Sequence, residues 1–245
     1  MSGAPSESSP VPDRAAPAGR APIDWLTFDC YGTLIDWERG IADALAPFLG
    51  EAIDRRSIAA RYIVHERAVE REAYRPYRDV LAEASARLLR ETGRAFPPGR
   101  ERALPESLPK WAPFPEAPGA LRAARALGCR IAILSNVDRD LIAASIAKFG
   151  VEPDLLVAAE ECRSYKPAPG HWRTFLERSG ARPDRALHVG ASLYHDMVPA
   201  ARLGFRTVFV NRNAEPVVGA APTVVLPDLA DLPRVVRDLS AAIQP

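Results

Sequence analysis

The sequence predicts an α/β fold in which a parallel β-sheet carries helices on both faces and a helical unit is inserted near its start. Three observations lead to this prediction. Short aliphatic runs without a polar face recur along the chain, helical patterns lie between them, and one long stretch that is helical throughout interrupts the alternation. A chain of 245 residues, 47% of them hydrophobic, can build one such core and a smaller appended unit.

The aliphatic runs are typical of buried strands, because both faces of a parallel sheet are covered by helices. Glycine and proline punctuate the ends of the helical patterns that separate the runs. The predicted strands are residues 23–29, 130–135, 186–190, 206–210 and 223–226. The predicted helices between them are residues 116–127, 138–149, 170–179 and 194–203.

The predicted domain boundaries follow from the interruption and from the composition of the N-terminus. Residues 1–21 are rich in Pro, Ala, Ser and Gly and are expected to form a disordered tail. Residues 22–36 and 116–245 form the predicted α/β core domain, and residues 37–115 form a helical cap domain. A helical unit placed directly after the first strand would lie over the carboxyl ends of the sheet, where open α/β folds bind ligands.

Charge and cysteine content limit the classes of function. Lysine and arginine total 32 against 31 acidic residues, so no strong field draws the protein to nucleic acid or to an anionic membrane. No apolar stretch approaches the length of a membrane span, and we expect a cytoplasmic protein. The 3 cysteines are odd in number and widely spaced, which argues against a disulfide framework and a zinc site. A small-molecule substrate is therefore the default expectation.

The first predicted strand ends in the segment FDCYGTLID, residues 28–36, which brings an acid to the carboxyl edge of the sheet. Asp29 directly follows the apolar run, and Gly32 eases the turn after it. Thr33 offers a hydroxyl that can hold the Asp29 carboxylate in one orientation. Taken alone, the segment also fits an aspartate that only caps a strand-to-helix turn.

Later predicted strands and the start of one helix supply further polar side chains, each of which is common in turns when seen alone. These residues are Ser135, Asn136, Lys166, Ser192 and Asp196. Because the carboxyl ends of parallel strands meet at one edge, we expect these side chains near Asp29. A lysine there would attract an anionic substrate and lower the pKa of the nearby carboxylate.

Four segments in this order resemble the signature segments of the haloacid dehalogenase superfamily: WLTFDCYGTLIDW, IAILSNVD, YKPAPGHW and VGASLYHD. The resemblance covers about residues 23–212, and it is strongest to the L-2-haloacid dehalogenases of the second type. It implies a Rossmann-like core with an inserted cap, and Asp29 as a nucleophile that displaces halide from a 2-haloacid through an ester intermediate. It further implies that Lys166 and Asp196 orient Asp29 and the hydrolytic water, that Thr33, Ser135 and Ser192 complete the polar shell, and that Asn136 lies near the departing halide.

Two departures separate the chain from the phosphatases of the same superfamily. Those enzymes carry a second acid two residues after the nucleophile, which protonates the leaving alkoxide, and this chain has Tyr31 there. They also bind magnesium through acids of the last motif, one of which is replaced here by Ala191. The resemblance therefore implies a dehalogenase without a cofactor, with Tyr31 as a substrate-binding residue. A phosphatase with a degenerate magnesium site stays open as the alternative.

The dehalogenases use an arginine of the cap to approach the halide. Counting back from Tyr77 and Asp79, which resemble a family landmark, suggests Arg61, with Arg67 or Arg71 as alternatives. These three assignments are what the resemblance implies for the cap.

Three further hypotheses stay open at this point. A cysteine hydrolase would use Cys30 with one of the 4 histidines, although no oxyanion motif accompanies that cysteine. A binding protein could keep the fold without catalysis. The resemblance also suggests a homodimer, since members of the superfamily often dimerise.

Overall fold

The computed structural model describes residues 22–50 and 53–241, and it contains a six-stranded β-sheet. The strands are β1 (Trp25–Phe28), β2 (Arg130–Ser135), β3 (Leu155–Ala158), β4 (Ala186–Gly190), β5 (Arg206–Val210) and β6 (Val224–Leu226). Their order is β3-β2-β1-β4-β5-β6, and each neighbouring pair is parallel. The predicted fold class is therefore confirmed. The tail predicted for residues 1–21 lies outside the described residues.

Helices cover the sheet and fill the interval between its first two strands. Between β1 and β2 lie α1 (Trp37–Leu49), α2 (Ile58–Glu70), α3 (Tyr77–Glu91), α4 (Ala103–Ser107) and α5 (Ala117–Ala126). After β2 come α6 (Arg139–Ile146), α7 (Ala159–Cys162), α8 (Gly170–Ser179), α9 (Val198–Arg202) and α10 (Leu232–Ala241). Short 3₁₀ turns lie at Arg55–Ser57, Leu108–Lys110 and Pro183–Arg185, and a π turn lies at Leu193–Met197.

Strand β3 and the C-terminal helix α10 are absent from the sequence prediction, and one predicted helix begins differently. Strand β3 was not predicted, because its four residues run directly into α7 and its first two residues are only half-buried at the edge of the sheet. The helix predicted for residues 194–203 begins instead with the π turn, and α9 completes it. Strands β2, β4 and β5 have the predicted bounds.

The central strand β1 separates two apolar cores. Leu26 and Phe28 point into the larger core, where they pack with residues such as Leu121 of α5. Trp25 points to the opposite face, where its ring makes an edge contact with Phe175 of α8 at 5.2 Å between centroids. Alternate residues of β1 therefore face different helical layers, as expected for a strand covered on both sides.

The helices after β1 are held over the carboxyl ends of the strands by contacts with the core. Asp138, which follows β2 and is buried, accepts hydrogen bonds from the backbone nitrogens of Tyr77 at 2.8 Å and Arg78 at 3.0 Å. A core carboxylate thus caps the positive N-terminal end of α3. Tyr165 adds a hydrogen bond from its hydroxyl to the carbonyl oxygen of Arg75 at 2.5 Å. In residues 22–50 and 53–241, no helix combines the length and apolar character that crossing a membrane requires.

Candidate active site

Asp29 leaves the end of β1 and presents its carboxylate at the carboxyl edge of the sheet. Its backbone nitrogen donates to the carbonyl oxygen of Val189 on β4 at 2.9 Å, so the residue is still tied to the sheet. The Thr33 hydroxyl donates to Asp29 Oδ2 at 2.8 Å and accepts from the backbone nitrogen of Ala191 at 2.9 Å. Gly32 allows the turn between them, because its φ of 96° is a left-handed conformation that suits glycine. The carboxylate is therefore fixed in one orientation.

Lys166 joins Asp29 to a second acid. Its ammonium group lies 2.7 Å from Asp29 Oδ1 and 2.6 Å from Asp196 Oδ1. The lysine side chain is only 2% exposed, and the Asp196 side chain is 1% exposed. One buried cation thus stands between two carboxylates, each of which makes a charge-assisted hydrogen bond to it.

The two carboxyl groups differ in their pKa. Burial and the negative charge of Asp196 raise the pKa of Asp29 above its ordinary value and outweigh the opposing effect of Lys166, so the lowering expected from the sequence does not prevail. Burial also acts to raise the pKa of Asp196, but the Lys166 ammonium and a hydrogen bond from His188 outweigh it and hold that pKa below its usual range. The same pair of carboxylates raises the pKa of Lys166 despite burial, so the lysine stays charged.

The remaining predicted residues of the sheet edge have polar partners around this centre. Ser135 is buried, and its hydroxyl accepts from the backbone nitrogen of Val137 at 3.3 Å. Asn136 Oδ1 accepts from the backbone nitrogen of Lys166 at 2.7 Å, which helps to set the position of that lysine. Ser192 accepts from the backbone nitrogen of His195 at 3.0 Å and so begins the π turn that carries Asp196.

A cavity of about 720 Å³ opens above these residues, between the sheet edge and the helices that follow β1. Its floor includes Asp29, Ser135, Asn136, Lys166, Ser192 and Asp196. With Tyr31, the structure therefore brings seven of the nine side chains proposed from the sequence to the edge of one cavity. Thr33 lies directly behind Asp29, and Tyr31 also contributes to the lining.

The helices over the cavity contribute polar residues, of which only Arg67 was proposed for the site from the sequence, as an alternative to Arg61. Glu66, Arg67 and Glu70 of α2 and Tyr77 of α3 all line the cavity. Glu70 Oε1 accepts from Asn136 Nδ2 at 3.1 Å, so a carboxylate of α2 reaches a side chain of the sheet edge. Burial and the neighbouring Glu70 raise the pKa of Glu66 to about 8, and the hydroxyls of Tyr62 and Tyr77 donate to Glu66. The spacing of Glu66 and Glu70, one helical turn apart, was the available signal for a shared face.

Comparison with known proteins decides the family. A model of the haloacid dehalogenase-like hydrolases matches residues 23–204. The chain belongs to this hydrolase family. Haloacetate dehalogenase H-2 of Moraxella sp. (strain B) is 29% identical over 195 residues, which are 78% of this chain and 86% of the relative. The (S)-2-haloacid dehalogenase H-109 of Pseudomonas putida is 30% identical over 220 residues, which are 86% of this chain and 96% of the relative.

A solved structure gives the same fold. The L-2-haloacid dehalogenase of Xanthobacter autotrophicus with chloropropionic acid covalently bound superposes with a TM-score of 0.77 at 23% identity. The alignment covers 88% of this chain and 98% of that chain. This chain and that dehalogenase therefore share the same fold.

Arg61 does not occupy the position that the family resemblance suggested. Its guanidinium contacts Glu91 of α3, with Nε 3.1 Å from Glu91 Oε1, and the side chain is 39% exposed. Among the residues that line the cavity, α2 contributes Arg67 instead, and Arg56 comes from the turn before it. At about 100° per residue, positions 61 and 67 lie about 120° apart around the helix, which is why Arg61 and Arg67 face different directions. Arg71 lines a neighbouring depression rather than this cavity.

Tyr31 holds the position that an acid occupies in the phosphatases of the family. Its hydroxyl pairs with Ser145 of α6 at 2.9 Å, and its ring makes an edge contact with Trp111 at 5.8 Å between centroids. Burial raises the pKa of the Tyr31 phenol well above its ordinary value. The residue keeps its proton and has a partner in α6, so it is a poor acid for a leaving group at neutral pH.

The donor set at this edge does not fit the magnesium ion of the family's phosphatases. Asp29 and Asp196 each give Oδ1 to Lys166, and Ala191 stands where a further acid would be needed. Within residues 22–50 and 53–241, no group of three His, Cys, Asp or Glu side chains is arranged to hold a metal. Magnesium prefers six oxygen ligands, usually one or two carboxylates together with water, and here Lys166 already occupies one oxygen of each acid.

Gly190 is required by the close approach of Asp196. A Cβ atom at this position would lie 2.7 Å from both Cβ and Cγ of Asp196, so an added methyl group must displace the acid. We expect Gly190→Ala to lower kcat at least about tenfold and to reduce the melting temperature, since overpacking costs about 1–3 kcal/mol. Gly119→Ala is the matched control. Its Cβ would meet no atom within 4 Å, and alanine should stabilise α5 without changing kcat. Wild-type kcat in Gly190→Ala would contradict the assigned role of Asp196.

Proposed function

We propose that this protein is a metal-independent 2-haloacid dehalogenase that converts small 2-haloacids to 2-hydroxy acids. The observation that carries the proposal is the Asp29 carboxylate, held by Thr33 and Lys166 at the floor of a cavity, with Tyr31 in place of the acid that an alkoxide leaving group needs. Halide leaves without a proton, so the missing acid is no obstacle to breaking a carbon–halogen bond. The two dehalogenase relatives support the same reading.

In the first proposed step, an oxygen of Asp29 attacks the carbon that bears the halogen from the side opposite the halogen. A carbon–oxygen bond forms, and the carbon–halogen bond breaks with its electron pair leaving on the halide. The configuration at carbon is inverted. Lys166 neutralises part of the charge between Asp29 and Asp196, so the site can accept an anionic substrate.

In the second proposed step, water attacks the carbonyl carbon of the Asp29 ester. The bond between the Asp29 carbonyl carbon and the substrate oxygen breaks, and the water oxygen stays in the Asp29 carboxylate. The departing oxygen takes one proton of the water to give the 2-hydroxy acid, and the other proton passes to solvent. Asp196 and Lys166 orient that water, since both line the cavity next to Asp29. Ser135 and Ser192 complete the polar shell around the substrate. Overall, one 2-haloacid and one water give one 2-hydroxy acid, one halide and one proton.

We propose Arg67, rather than Arg61, as the arginine that attracts the substrate or the departing halide. Its guanidinium lies 5.5 Å from the centre of the Tyr194 ring, on the cavity side of α2. Arg67→Gln should raise KM for a 2-haloacid by about 10- to 100-fold. This factor corresponds to the loss of one hydrogen bond to a charged group, which contributes about 1.5–3 kcal/mol. Arg61→Gln, measured in parallel by steady-state halide release, should leave KM unchanged. A larger effect at Arg61 than at Arg67 would reverse the assignment.

A halide-release screen tests the proposed function. The substrates are chloro-, bromo- and fluoroacetate and both enantiomers of 2-chloropropionate, each with and without a chelator. We expect chloride release from one enantiomer only, with chelator present or absent. Magnesium-dependent hydrolysis of phosphate esters without halide release would establish a phosphatase instead. No turnover of either class, together with retained biological function in Asp29→Asn, would establish a binding protein.

A cytoplasmic location and a homodimer also belong to the proposal. The three cysteines are free thiols, and Cys30 and Cys129 are buried, as suits a reducing compartment. Sedimentation of the purified protein decides the oligomeric state, and a single species with the mass of one chain would exclude the dimer.

A further inference from the structure

His188 lies directly beneath the candidate site, although the sequence marks it only as a histidine within an apolar strand. It is the third residue of β4 and is fully buried. The register of the sheet pairs it with Thr27 of β1, and Thr27 is also fully buried. Thr27 stands two residues before Asp29, so both side chains project from the same face of that strand.

A continuous series of hydrogen bonds runs from this pair to Asp29. Thr27 Oγ1 lies 2.8 Å from His188 Nδ1, and His188 Nε2 lies 3.3 Å from Asp196 Oδ1. The same Asp196 oxygen accepts from Lys166 Nζ at 2.6 Å, and Lys166 Nζ donates to Asp29 Oδ1 at 2.7 Å. The series therefore begins on β1 at Thr27, passes through Asp196 and Lys166, and ends at Asp29, directly after β1.

The chemistry of the partners fixes the tautomer of the histidine. An ionised aspartate can only accept hydrogen bonds, so Nε2 must carry a proton toward Asp196. In the neutral ring Nδ1 is then an acceptor, and the Thr27 hydroxyl is the donor that satisfies it. With the lysine, Asp196 Oδ1 receives two donors, which hold its carboxylate in one rotamer.

The surroundings of His188 exclude water and leave it few other partners. The Trp172 ring makes an edge contact with the imidazole at 5.3 Å between centroids. His171, which precedes Trp172 in the sequence, forms a hydrogen bond through Nε2 with the carbonyl oxygen of Ser135 at 3.0 Å. Burial lowers the pKa of His171 to about 3, so its ring is neutral. A hydrogen bond in such a dry interior is stronger than one at the surface.

We propose that His188 is a positioning residue for the dehalogenase reaction: it holds Asp196, and through Lys166 sets the orientation of Asp29, while Thr27 fixes its tautomer. This inference rests on the proposed function. It assigns His188 a role in catalysis without contact between His188 and the substrate. A buried polar pair in a parallel sheet would otherwise serve only stability. The two roles predict different kinetics, because a purely structural residue affects the melting temperature and leaves kcat of the folded enzyme unchanged.

The test compares His188→Leu, which removes the donor to Asp196, with His188→Gln, which can place an amide donor near the position of Nε2. We expect His188→Leu to lower kcat by about 10- to 100-fold with KM within about twofold, a loss like that seen when the hydrogen-bond partners of metal ligands are removed. His188→Gln should recover most of kcat. If His188→Leu does not fold, Thr27→Val carries the test, with an expected fall in kcat of about two- to tenfold for one lost hydrogen bond.

The matched control is Thr207→Val on β5, which the sheet register places beside His188 on its other side. Thr207 is buried and bonds to Thr223 at 3.0 Å and 3.3 Å, away from the site, so this variant should lose stability without losing kcat. Wild-type kcat in His188→Leu, or equal losses in His188→Leu and His188→Gln, would overturn the proposal.

A substrate-independent measurement separates this inference from the proposed function. If the wild-type enzyme releases no halide, the proposed function fails, and carboxyl carbon NMR of Asp196 still tests His188. We expect Asp196 to stay ionised at a lower pH in the wild type and in His188→Gln than in His188→Leu. The same titration in all three proteins would show that His188 does not act on Asp196.

Discussion

Asp29→Asn is expected to reduce halide release at least about 10⁴-fold, the scale seen when a covalent nucleophile is removed from an enzyme. The amide keeps the size of the side chain and can still bond to Thr33, so the protein should fold. It lacks the negative charge that attacks carbon, and it weakens the contact with Lys166. The measurement is single-turnover halide release from 2-chloropropionate, with circular dichroism to confirm the fold.

The control for this prediction is Asp238→Asn, which alters an exposed acid of α10 that pairs with Arg234 at 3.3 Å and should leave the rate unchanged. The variant Cys30→Ala tests whether Cys30, rather than Asp29, is the nucleophile. Burial raises the pKa of the Cys30 thiol well above its ordinary value, so the thiol is a poor nucleophile, and the variant should keep most of the activity. Full activity in Asp29→Asn, or complete loss in Cys30→Ala, would move the chemistry away from Asp29.

Lys166→Met is expected to have the second large effect, on both stability and rate. The substitution leaves Asp29 and Asp196 buried near each other without the cation that separates them. Breaking a buried ion pair in this way typically costs about 3–5 kcal/mol of unfolding free energy. We expect kcat to fall about 10³-fold, because Asp29 loses its fixed orientation and a fraction of the Asp29 carboxyl groups is protonated. A factor of 10³ corresponds to about 4 kcal/mol in the activation free energy. Urea unfolding and halide release measure the two effects.

The pH dependence of Lys166→Met follows from the sign of the lysine's effect. The ammonium lowers the pKa of both carboxyl groups, and in Asp196 it outweighs burial. Without it both pKa values rise, so the acid limb of kcat/KM should move to higher pH. In the wild type, the lowered pKa of Asp196 stabilises the fold above the unfolded pKa, and that stabilisation is lost as the pH falls. Lys110→Met, at an exposed lysine, is the control, and an unmoved acid limb in Lys166→Met would contradict the account.

The sheet-edge part of the site was predictable because topology alone brings its residues together. Asp29, Lys166 and Asp196 follow different elements in the sequence, yet parallel strands deliver their carboxyl ends to one edge. Strands β2, β4 and β5 were predicted with their observed bounds for a related reason: nearly all of their residues are buried, so their sequences are mainly apolar. Strand β3 was missed because it lies at the sheet edge and half of its residues are partly exposed.

The face of α2 that meets the cavity could not be read from its sequence. Charged residues occur on more than one side of this helix, so no apolar stripe marks which side packs against the core. Arg61 pairs with Glu91 on the outside, whereas Arg67 and Glu70 line the cavity. Only the packing of α2 against its neighbours decides between these faces.

The role of His188 was hidden for a different reason. An alternating position in a buried strand identifies the face of the sheet but not the partner across it. The strand order places β4 beside β1, and only that neighbourhood brings Thr27 to one side of the imidazole. The π turn after β4 then returns Asp196 over the other nitrogen.

Oxygen labelling tests the attack by Asp29 most directly. The enzyme is placed in H₂¹⁸O with less than one equivalent of a 2-haloacid, and the product and the peptide that contains Asp29 are analysed by mass spectrometry. The proposed ester predicts a product hydroxyl that carries ¹⁶O from the enzyme and a single ¹⁸O in Asp29. A product labelled with ¹⁸O and an unlabelled Asp29 would mean that water attacks the substrate directly, and the nucleophilic role of Asp29 would be wrong.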